Sequence, residues 1–328
     1  MNPPIVLRRL AAALLLLWLV LTLTFGLIRL APGDAATFLV PPSATAADVA
    51  RIRAELGLDR SIAVQYARWG ASLLRGDLGE SFSLRQPVID ALKHALPVSL
   101  GLGLASLTLT FLIGVPLGMI QAIRRGRPVD HALTVLTTFI YAAPSFWLAL
   151  ALVAVFTYGA TQWGFPPWLR LPAFAMRSPG ADLHGMPAFL DLVRHSILPV
   201  TILAAVGASG IARYARSSIS DQLPREFVRT AWAKGAPASR VYFRHVLATV
   251  LPSLVVLFAL SLPGLVAGSI FVEAVFAWPG MGRLMVGAIA ARDYPLVMGA
   301  AVVYSAVVLI ANLAGDLALP LVDPRRRS

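Results

Sequence analysis

Closely spaced cationic side chains are the feature of this sequence with the clearest potential for chemistry. They lie in and next to the segment EFVRTAWAKGAPASRVYFRH, Glu226–His245, which Gly235 and Pro237 interrupt. Arginine and lysine bind phosphate and carboxylate groups, so three interpretations are open: a nucleic-acid or lipid patch, a docking element for another protein, or an ordinary cytoplasmic loop. The cations are Arg225, Arg229, Lys234, Arg240 and Arg244.

Motifs of catalysis and nucleotide binding are missing from the sequence. GxxxxGK[ST], HExxH and GxSxG do not occur. GMGRLM, Gly280–Met285, begins like the dinucleotide fingerprint GxGxxG, but Met285 replaces its third glycine. The chain has no cysteine, which excludes disulfides and thiolate metal sites. We therefore predict a protein that is not an enzyme, with no catalytic residue, no metal site and no cofactor of its own.

The composition is that of an integral membrane protein. Of the 328 residues, 58% are hydrophobic and 13% are charged, and the mean hydropathy is +0.75. Soluble domains carry about 25% charged residues. The net charge of +12 could suggest nucleic-acid binding, but so little of the chain is polar that this interpretation is disfavoured.

Six apolar stretches approach the length of about 20 residues that a membrane-spanning helix needs. Their lack of apolar–polar alternation argues against a membrane β-barrel, so we predict an all-α integral membrane protein. The first stretch could instead be a cleaved signal peptide, but it is long for one. The predicted spans are Leu10–Ile28, Leu96–Ala122, His131–Tyr158, Ile197–Ala212, Val246–Val272 and Leu296–Leu321.

The distribution of basic residues predicts that both termini are cytoplasmic. Short cytoplasmic loops are enriched in arginine and lysine, and six spans place every basic cluster on one side. The clusters hold nearly the whole net charge of +12, which explains it without a nucleic acid. The clusters are Arg8 and Arg9; Arg124, Arg125 and Arg127; Arg213, Arg216, Arg225, Arg229, Lys234, Arg240 and Arg244; and Arg325, Arg326 and Arg327.

The loop between the first two spans is predicted to fold into helices. Thr45 and Asp48 have capping-box spacing before a helix that should end at Gly57. A second helix should contain Ile62, Tyr66, Trp69 and Leu73. This loop is either a cap on the membrane domain or a surface that receives a partner or solute. The second outer loop, about residues 159–196, is rich in proline and predicted to be irregular.

The spans contain helix breakers and small residues but no ionisable residue at their centres. This absence argues against a proton-coupled or voltage-sensing device, and it leaves a stand-alone secondary transporter as the competing class. Pro116, Pro144 and Pro263 mark kinks or hinges. GVPLG at Gly114 and GLVAG at Gly264 have the GxxxG spacing that permits close helix packing.

The segment Arg229–Gly235, RTAWAKG, resembles the EAA loop of ABC-importer permeases, in the form found in dipeptide, oligopeptide and nickel importers. Arg229 and Thr230 replace the usual opening Glu-Ala, and the distance from Gly235 to Pro252 is also that of this subgroup. Importers of this subgroup contain two permease subunits, and the large first outer loop resembles that of the first subunit. Other matching segments are LAPGD, LGLD, QYARW, GDLGES, HSILPV, EAVFAWPGMGRL, RDYPLVMGA and the final DPRRR.

The resemblance implies a type I ABC-importer fold in the bacterial inner membrane. It also implies a second homologous permease, two cytoplasmic ATPases that bind ATP and Mg²⁺, and an extracytoplasmic solute-binding protein. The predicted regions are 1–30 with the first span, 31–95 as an extracytoplasmic loop domain, and 96–328 as the transporter domain. A cytoplasmic coupling loop is expected at 213–247.

The resemblance further implies that a helix of the coupling loop docks on an ATPase and transmits its motion to span five. One face of this helix carries Phe227, Val228, Ala231 and Trp232. The expected cargo is a di- or oligopeptide, with nickel, glutathione or oligosaccharide as alternatives. Candidate path residues are Tyr141, Ser145, Trp147 and Asn312. The coupling residues are Glu226, Phe227, Val228, Arg229, Thr230, Ala231, Trp232, Lys234 and Gly235.

Overall fold

The structure is a computed structural model that describes residues 3–30, 45–267 and 270–322. These residues form helices and turns, with one isolated bridge between Glu80 and Pro87. The first half comprises α1 (Pro3–Leu30), α2 (Ala46–Glu55), α3 (Ile62–Leu74), α4 (Val88–Ile123), α5 (Pro128–Ala142) and α6 (Ser145–Val153). A π-helical stretch (Ala154–Gly159), α7 (Ala160–Gln162) and a 3₁₀ turn (Pro167–Leu169) follow.

The second half begins with the longest helix, α8 (Met186–Gln222), and ends in another long one. Between them lie mostly short helices and a second π-helical stretch. They are α9 (Glu226–Ala233), the π-helical Arg240–Leu247, α10 (Ala248–Ser261), α11 (Gly264–Ala267), α12 (Ile270–Val275), α13 (Met281–Ala290) and α14 (Tyr294–Val322).

Among the described residues, six helical stretches are long and apolar enough to cross a membrane, the number that the sequence predicts. They include the fourth span, whose sequence is short and rich in glycine and alanine. The spans are Ala11–Leu30, Val88–Ile123, Ser145–Gln162, Met186–Gln222, Arg240–Ser261 and Tyr294–Leu313.

The predicted third span, His131–Tyr158, is not one continuous helix. Helix α5 ends at Ala142, Ala143 has an extended backbone with ψ of 139°, and α6 begins at Ser145. Pro144 explains the break, because its ring disfavours helical geometry in the preceding residue and it has no N–H to donate. Only the part from Ser145 onward qualifies as a span.

Two other predicted boundaries were wrong. The predicted fifth span, Val246–Val272, is interrupted by a turn at Leu262 and Pro263, so the spanning stretch is Arg240–Ser261. The predicted irregular loop 159–196 ends at Gly185, eleven residues early, because α8 already begins at Met186. By contrast, α4 continues through Pro116.

The chain divides into two compact units, Met1–Val98 with Gly280–Ile310 and Ser99–Pro279 with Ala311–Ser328. This division differs from the regions 1–30, 31–95 and 96–328, which stay a prediction about membrane topology. In the first unit, Thr45 and Asp48 form the predicted capping box. Helix α2 ends before Gly57, which has the left-handed φ of 67°. Rings of α3 pack on α1, with the Trp69 and Phe25 centroids 5.7 Å apart.

A buried aspartate joins two distant parts of the first unit. Asp293 is fully buried, and its Oδ2 accepts hydrogen bonds from the hydroxyls of Ser81 and Ser83 at 2.6 and 2.7 Å. Its Oδ1 accepts the Leu296 N–H at the start of α14. Burial alone would raise the pKa of Asp293, but the hydrogen bonds from Ser81, Ser83 and Leu296 outweigh burial and hold this pKa below its ordinary value.

We expect Asp293→Asn to destabilise the first unit by about 1–3 kcal/mol at neutral pH, because a buried hydrogen-bond network is broken. A lowered pKa stabilises the fold above the unfolded value, near 4, and this contribution is lost as the pH falls through the lower folded value. The difference in melting temperature between wild type and variant should therefore shrink in acid. Thermal denaturation of the purified protein across pH measures it. Asp59→Asn, at an exposed carboxylate, is the control, and a constant difference would contradict the prediction.

The second unit is built on close contact between α4 and α8. A Cβ atom placed on Gly114 would lie 2.8 Å from Ile211 Cβ, and one on Gly118 would lie 2.7 Å from Ala215 Cβ. The first predicted GxxxG motif therefore does bring two helices together. In the second motif, Gly264 has no atom within 4 Å of such a Cβ, and Gly268 lies outside the described residues. Gly264 therefore does not support the predicted close packing.

Candidate functional site

Helix α9 is a separate eight-residue helix with a defined end. It runs from Glu226 to Ala233, and Gly235 follows with a φ of 71°. The N–H of Gly235 donates to the Trp232 carbonyl at 2.9 Å, and the N–H of Ala236 donates to the Ala231 carbonyl at 3.2 Å. These two bonds form a Schellman motif, which needs a residue that adopts positive φ easily. Gly235 therefore ends α9, in agreement with its interruption of the segment in the sequence.

The apolar face of α9 is divided between the protein's own core and its surface. Val228 and Ala231 are 2% and 6% exposed and have little surface left for a partner. Both belong to a hydrophobic cluster that includes residues of α4, α8, the second π-helical stretch and α10, so they anchor the helix to its own chain. The cluster consists of Met119, Ala122, Ala215, Ile219, Val228, Ala231, Val241, Val246, Val250 and Leu254.

The edges of the same face remain accessible. Phe227 and Trp232 are 37% and 43% exposed, and the Trp232 ring meets Tyr242 edge-on at 6.0 Å. On the outer side, Arg229 donates to Glu226 Oε1 at 3.1 Å, and both side chains are exposed. Such exposed ion pairs stabilise little by themselves. The accessible surface of α9 is thus two aromatic rings beside a charged pair, with Lys234 and Thr230 also exposed.

Helix α9 connects directly to the fifth span. After the Schellman turn, Ala238 starts a helix that becomes π-helical at Arg240 and continues as α10 to Ser261. Pro237 therefore immediately precedes the next helix and does not lie in its first turn. Its carbonyl accepts the Val241 N–H at 3.1 Å. Val241 and Val246 share the cluster of Val228 and Ala231, so this stretch packs directly against α9.

Three of the four predicted path residues lie around the break between α5 and α6. Tyr141 and Trp147 are 52% and 51% exposed, and Ser145 is half-buried. The Trp147 ring packs edge-on against Phe139 at 6.5 Å. Asn312 is exposed on α14, a different helix from those that carry the other three.

Arg213 is a polar neighbour of the predicted path that sequence reasoning missed as a site residue. Its guanidinium carbon lies 3.8 Å from the centroid of the Tyr141 ring, within the range of a cation–π interaction. The ring also lies near Gly210, one turn earlier on α8, where a Cβ atom would be in ordinary contact with Tyr141 Cε2 at 3.6 Å. The sequence showed Arg213 only as one of many topology-marking cations, because its contact with Tyr141 is made between distant segments.

An ion pair between a buried carboxylate and a partly exposed arginine joins α5 to α8. Asp130 is 1% exposed and accepts a bond from Arg216 at 2.8 Å. It also accepts the Gly126 N–H at 3.0 Å, while Gln121 of α4 donates to Thr134. Burial alone would raise the pKa of Asp130, but the hydrogen bonds from Gly126 and Arg216 and the charge of Arg216 hold it below its ordinary value.

Glu273 is a further buried carboxyl group, besides Asp293 and Asp130. Glu273 on α12 is fully buried, and Ser99 donates to its Oε1 at 2.6 Å. It falls one residue beyond the predicted fifth span, so no sequence pattern marks it as buried. A buried carboxyl group with a hydrogen-bond donor positions α12 against α4. Among the described residues, no group of three or more His, Asp or Glu side chains could hold a metal ion.

The geometry defines a helical membrane protein with several spans, in which the short helix α9 packs on the chain's own core and connects to the fifth span. Comparison with family models identifies the family. Residues 114–328 match the model for the binding-protein-dependent transport system inner membrane component, and residues 4–103 match the N-terminal model of the same kind of component. The chain belongs to this family of inner-membrane transport proteins. It is therefore a multi-pass protein of the inner membrane and the membrane component of its system, not a catalytic subunit.

Curated relatives match along almost the whole chain. The probable D,D-dipeptide transport system permease protein DdpB of Escherichia coli is 37% identical, and the match covers 93% of this chain and 92% of that protein. The oligopeptide transport system permease protein AppB of Bacillus subtilis is 33% identical, with 98% of each chain covered. These matches confirm the resemblance found in the sequence motifs.

Solved structures show the same fold. A chain of the inward-facing MetNI methionine ABC transporter, in its CY5 native crystal form, has a TM-score of 0.51 at 18% identity. The match covers 72% of this chain and 97% of that chain. A selenomethionine-soaked form gives a TM-score of 0.53. The predicted ABC-importer fold is confirmed, and at this identity the likeness concerns the fold alone.

Proposed function

We propose that this chain forms half of the translocation path of an ATP-driven importer for di- or oligopeptides. The observation that carries this proposal is the arrangement of α9: Val228 and Ala231 hold it on the chain's own core, while Phe227 and Trp232 remain exposed. A helix that is anchored on one face and accessible on its edges can receive force from a partner and pass it to the fifth span. Peptide cargo follows from the names of the relatives DdpB and AppB.

The partners in this proposal are a second homologous permease, two cytoplasmic ATPases and an extracytoplasmic solute-binding protein. ATP and Mg²⁺ bind to the ATPases, because this chain lacks a phosphate-binding loop motif. Both termini and the coupling loop at 213–247 are cytoplasmic, in line with the positions of the basic clusters. The region 31–95 is extracytoplasmic and faces the binding protein.

The docking surface of α9 comprises its exposed side chains. Phe227 and Trp232 enter an apolar groove of the ATPase, and the pair formed by Arg229 and Glu226 lies at the rim. Val228 and Ala231 transmit motion inward through their own cluster. The remaining residues of the predicted coupling helix are Glu226, Thr230, Lys234 and Gly235.

The translocation path in this proposal passes the break between α5 and α6. Tyr141, Ser145 and Trp147 lie on it, and Arg213 adds a cation that can attract a peptide carboxylate. Arg213 is the first residue of the cytoplasmic coupling loop, so this part of the path is its cytoplasmic end. Asn312 on α14 remains a separate candidate.

ATP-driven peptide uptake is the measurement that tests this function. The chain should co-purify with an ATPase subunit. In proteoliposomes, ATP hydrolysis and uptake should both rise when the solute-binding protein is supplied with di- or oligopeptides. Nickel, glutathione and oligosaccharides are the matched alternative cargoes. Uptake that an ion gradient drives in the absence of ATP would contradict the proposal and indicate a stand-alone secondary transporter.

A further inference from the structure

Helix α3 packs against one face of the first span. The Trp18 ring of α1 has its centroid 6.1 Å from that of Tyr66 and 6.3 Å from that of Trp69. The Tyr66 hydroxyl and Thr22 Oγ1 share a hydrogen bond of 2.6 Å. A Cβ atom placed on Gly70 would lie 3.3 Å from the Trp18 ring. Aromatic packing, a hydrogen bond and a close backbone approach therefore hold α3 on α1.

These contacts lie at membrane depth. The spanning part of α1 ends at Leu30, and Trp18 precedes this end by twelve residues, or about 18 Å of helix. Phe25, whose ring centroid is 5.3 Å from that of Tyr66, precedes the end by five residues, or about 8 Å. Because about 20 apolar residues just cross the hydrocarbon core, α3 reaches below the level at which the span leaves that core.

The two edges of α3 differ in polarity. Gln65, Arg68 and Ser72 line a cavity at the end of α1, so this polar edge faces the end of the span. Gly70, which approaches Trp18, marks the opposite edge, which faces the middle of the span. The positions from the Gly70 edge round to the face turned away from α1 form an apolar stripe of exposed residues. The apolar stripe consists of Ala63, Val64, Ala67, Ala71 and Leu74.

The surface of α1 next to the apolar stripe is open. Leu14 lies one turn before Trp18 on the same face of α1, and it is 53% exposed. Leu15, beside it, is 70% exposed. Both leucines belong to the span, whose exposed side chains lie in the hydrocarbon core. The apolar stripe of α3 therefore adjoins the lipid-facing surface of the first span.

We propose that α3 is embedded in the membrane, with its apolar stripe in contact with lipid acyl chains and its polar edge at the headgroups. Amphipathic helices of this kind lie in the plane of the membrane with the apolar face below the headgroups. With the N terminus cytoplasmic, as proposed above, the leaflet is the outer one. Part of the first outer loop is then a membrane-embedded cap on the first span. This placement depends on α1 being a span and not on the cargo or the ATPases.

Spin labels on single cysteines test the placement of α3, since the chain has no cysteine of its own. Ala67→Cys labels the apolar stripe, and Ala54→Cys labels an exposed alanine of α2 next to the exposed Glu55. Both variants are assembled into the full transporter complex in liposomes. Collisions with oxygen, which concentrates in the bilayer, and with a water-soluble nickel complex give the depth of each label. The Ala67→Cys label should lie roughly 10 Å below the headgroups, and the Ala54→Cys label should lie in water.

Ser61→Cys provides a second control, on the polar edge of α3. Ser61 is exposed and makes no side-chain capping bond, and its label should be shallower than that of Ala67→Cys. Equal depths for these two labels would overturn the orientation of α3. Nickel contact at Ala67→Cys equal to that at Ala54→Cys would overturn the proposal, because the stripe would then face water and a soluble partner. Protection of the Ala67→Cys label from both oxygen and nickel would also overturn it, because a protein such as the second permease would then cover the stripe.

Discussion

Replacing Gly118 with alanine is expected to destabilise the permease by about 3 kcal/mol, near the upper end of the range for overpacked cores. The new methyl group would overlap the carbonyl oxygen of Ala212 and lie 2.7 Å from Ala215 Cβ and 2.9 Å from the Arg216 nitrogen. Two of these three atoms belong to the backbone of α8, so a side-chain rotation cannot relieve the clash. Helices α4 and α8 must move apart, and the melting temperature should fall by roughly 5–10 °C.

Gly101 on the same helix provides the matched control. It is exposed, and no atom lies within 4 Å of a Cβ placed on it. Gly101→Ala should therefore leave the melting temperature unchanged or raise it slightly, because alanine is the better helix former. Thermal denaturation of the purified chain in detergent makes the comparison. Equal melting temperatures for the two variants would show that α4 and α8 do not pack as closely as the structure has them.

Replacing Gly235 with valine is expected to lower ATP-driven uptake about tenfold while the chain still inserts and folds. At a φ of 71°, a β-branched residue is strained by roughly 1–2 kcal/mol, and a tenfold change in an equilibrium corresponds to 1.4 kcal/mol. No atom lies within 4 Å of a Cβ on Gly235, so the effect comes from the backbone and not from crowding. The Schellman bonds should break, and the last turn of α9 should unwind.

Gly180→Val separates this effect from general strain. Gly180 has a φ of 74° and equally open surroundings, but it lies in the second outer loop. It should cost similar stability and leave the ratio of uptake to ATP hydrolysis unchanged. Gly235→Asn should retain most of the uptake, because asparagine tolerates positive φ. Normal uptake by Gly235→Val, with normal yield of the complex, would contradict the assignment of α9 as the coupling helix.

The Gly118 variant tests helix packing in the fold, whereas the Gly235 variant tests coupling in transport. Gly118 lies where two spans touch, so its replacement should affect folding in every assay. Gly235 lies on an open turn, so its replacement should affect transport more than folding. A Gly235 variant that melts as early as the Gly118 variant would show that the turn supports the fold itself.

Sequence reasoning was accurate where local patterns decide the structure. Six apolar stretches specify six spans, since helix formation in a membrane depends on length and hydrophobicity. Helix ends are specified locally by Thr45 with Asp48 and by Gly235, because capping hydrogen bonds join residues only a few positions apart. Boundaries were less accurate, as the single predicted span across Pro144 shows.

The sequence by itself determined the protein's class, the number of its spans and the position of α9. Only the tertiary structure decided which face of α9 is buried and which polar side chains meet. Asp130 and Arg216 are 86 residues apart in sequence, Ser99 and Glu273 are 174 apart, and Ser81 and Asp293 are 212 apart. The periodicity of hydrophobic residues and the charge counts describe one helix at a time, so they do not show which helices meet. The neighbours that cover a face or satisfy a buried carboxylate come from elsewhere in the chain, and packing alone selects them.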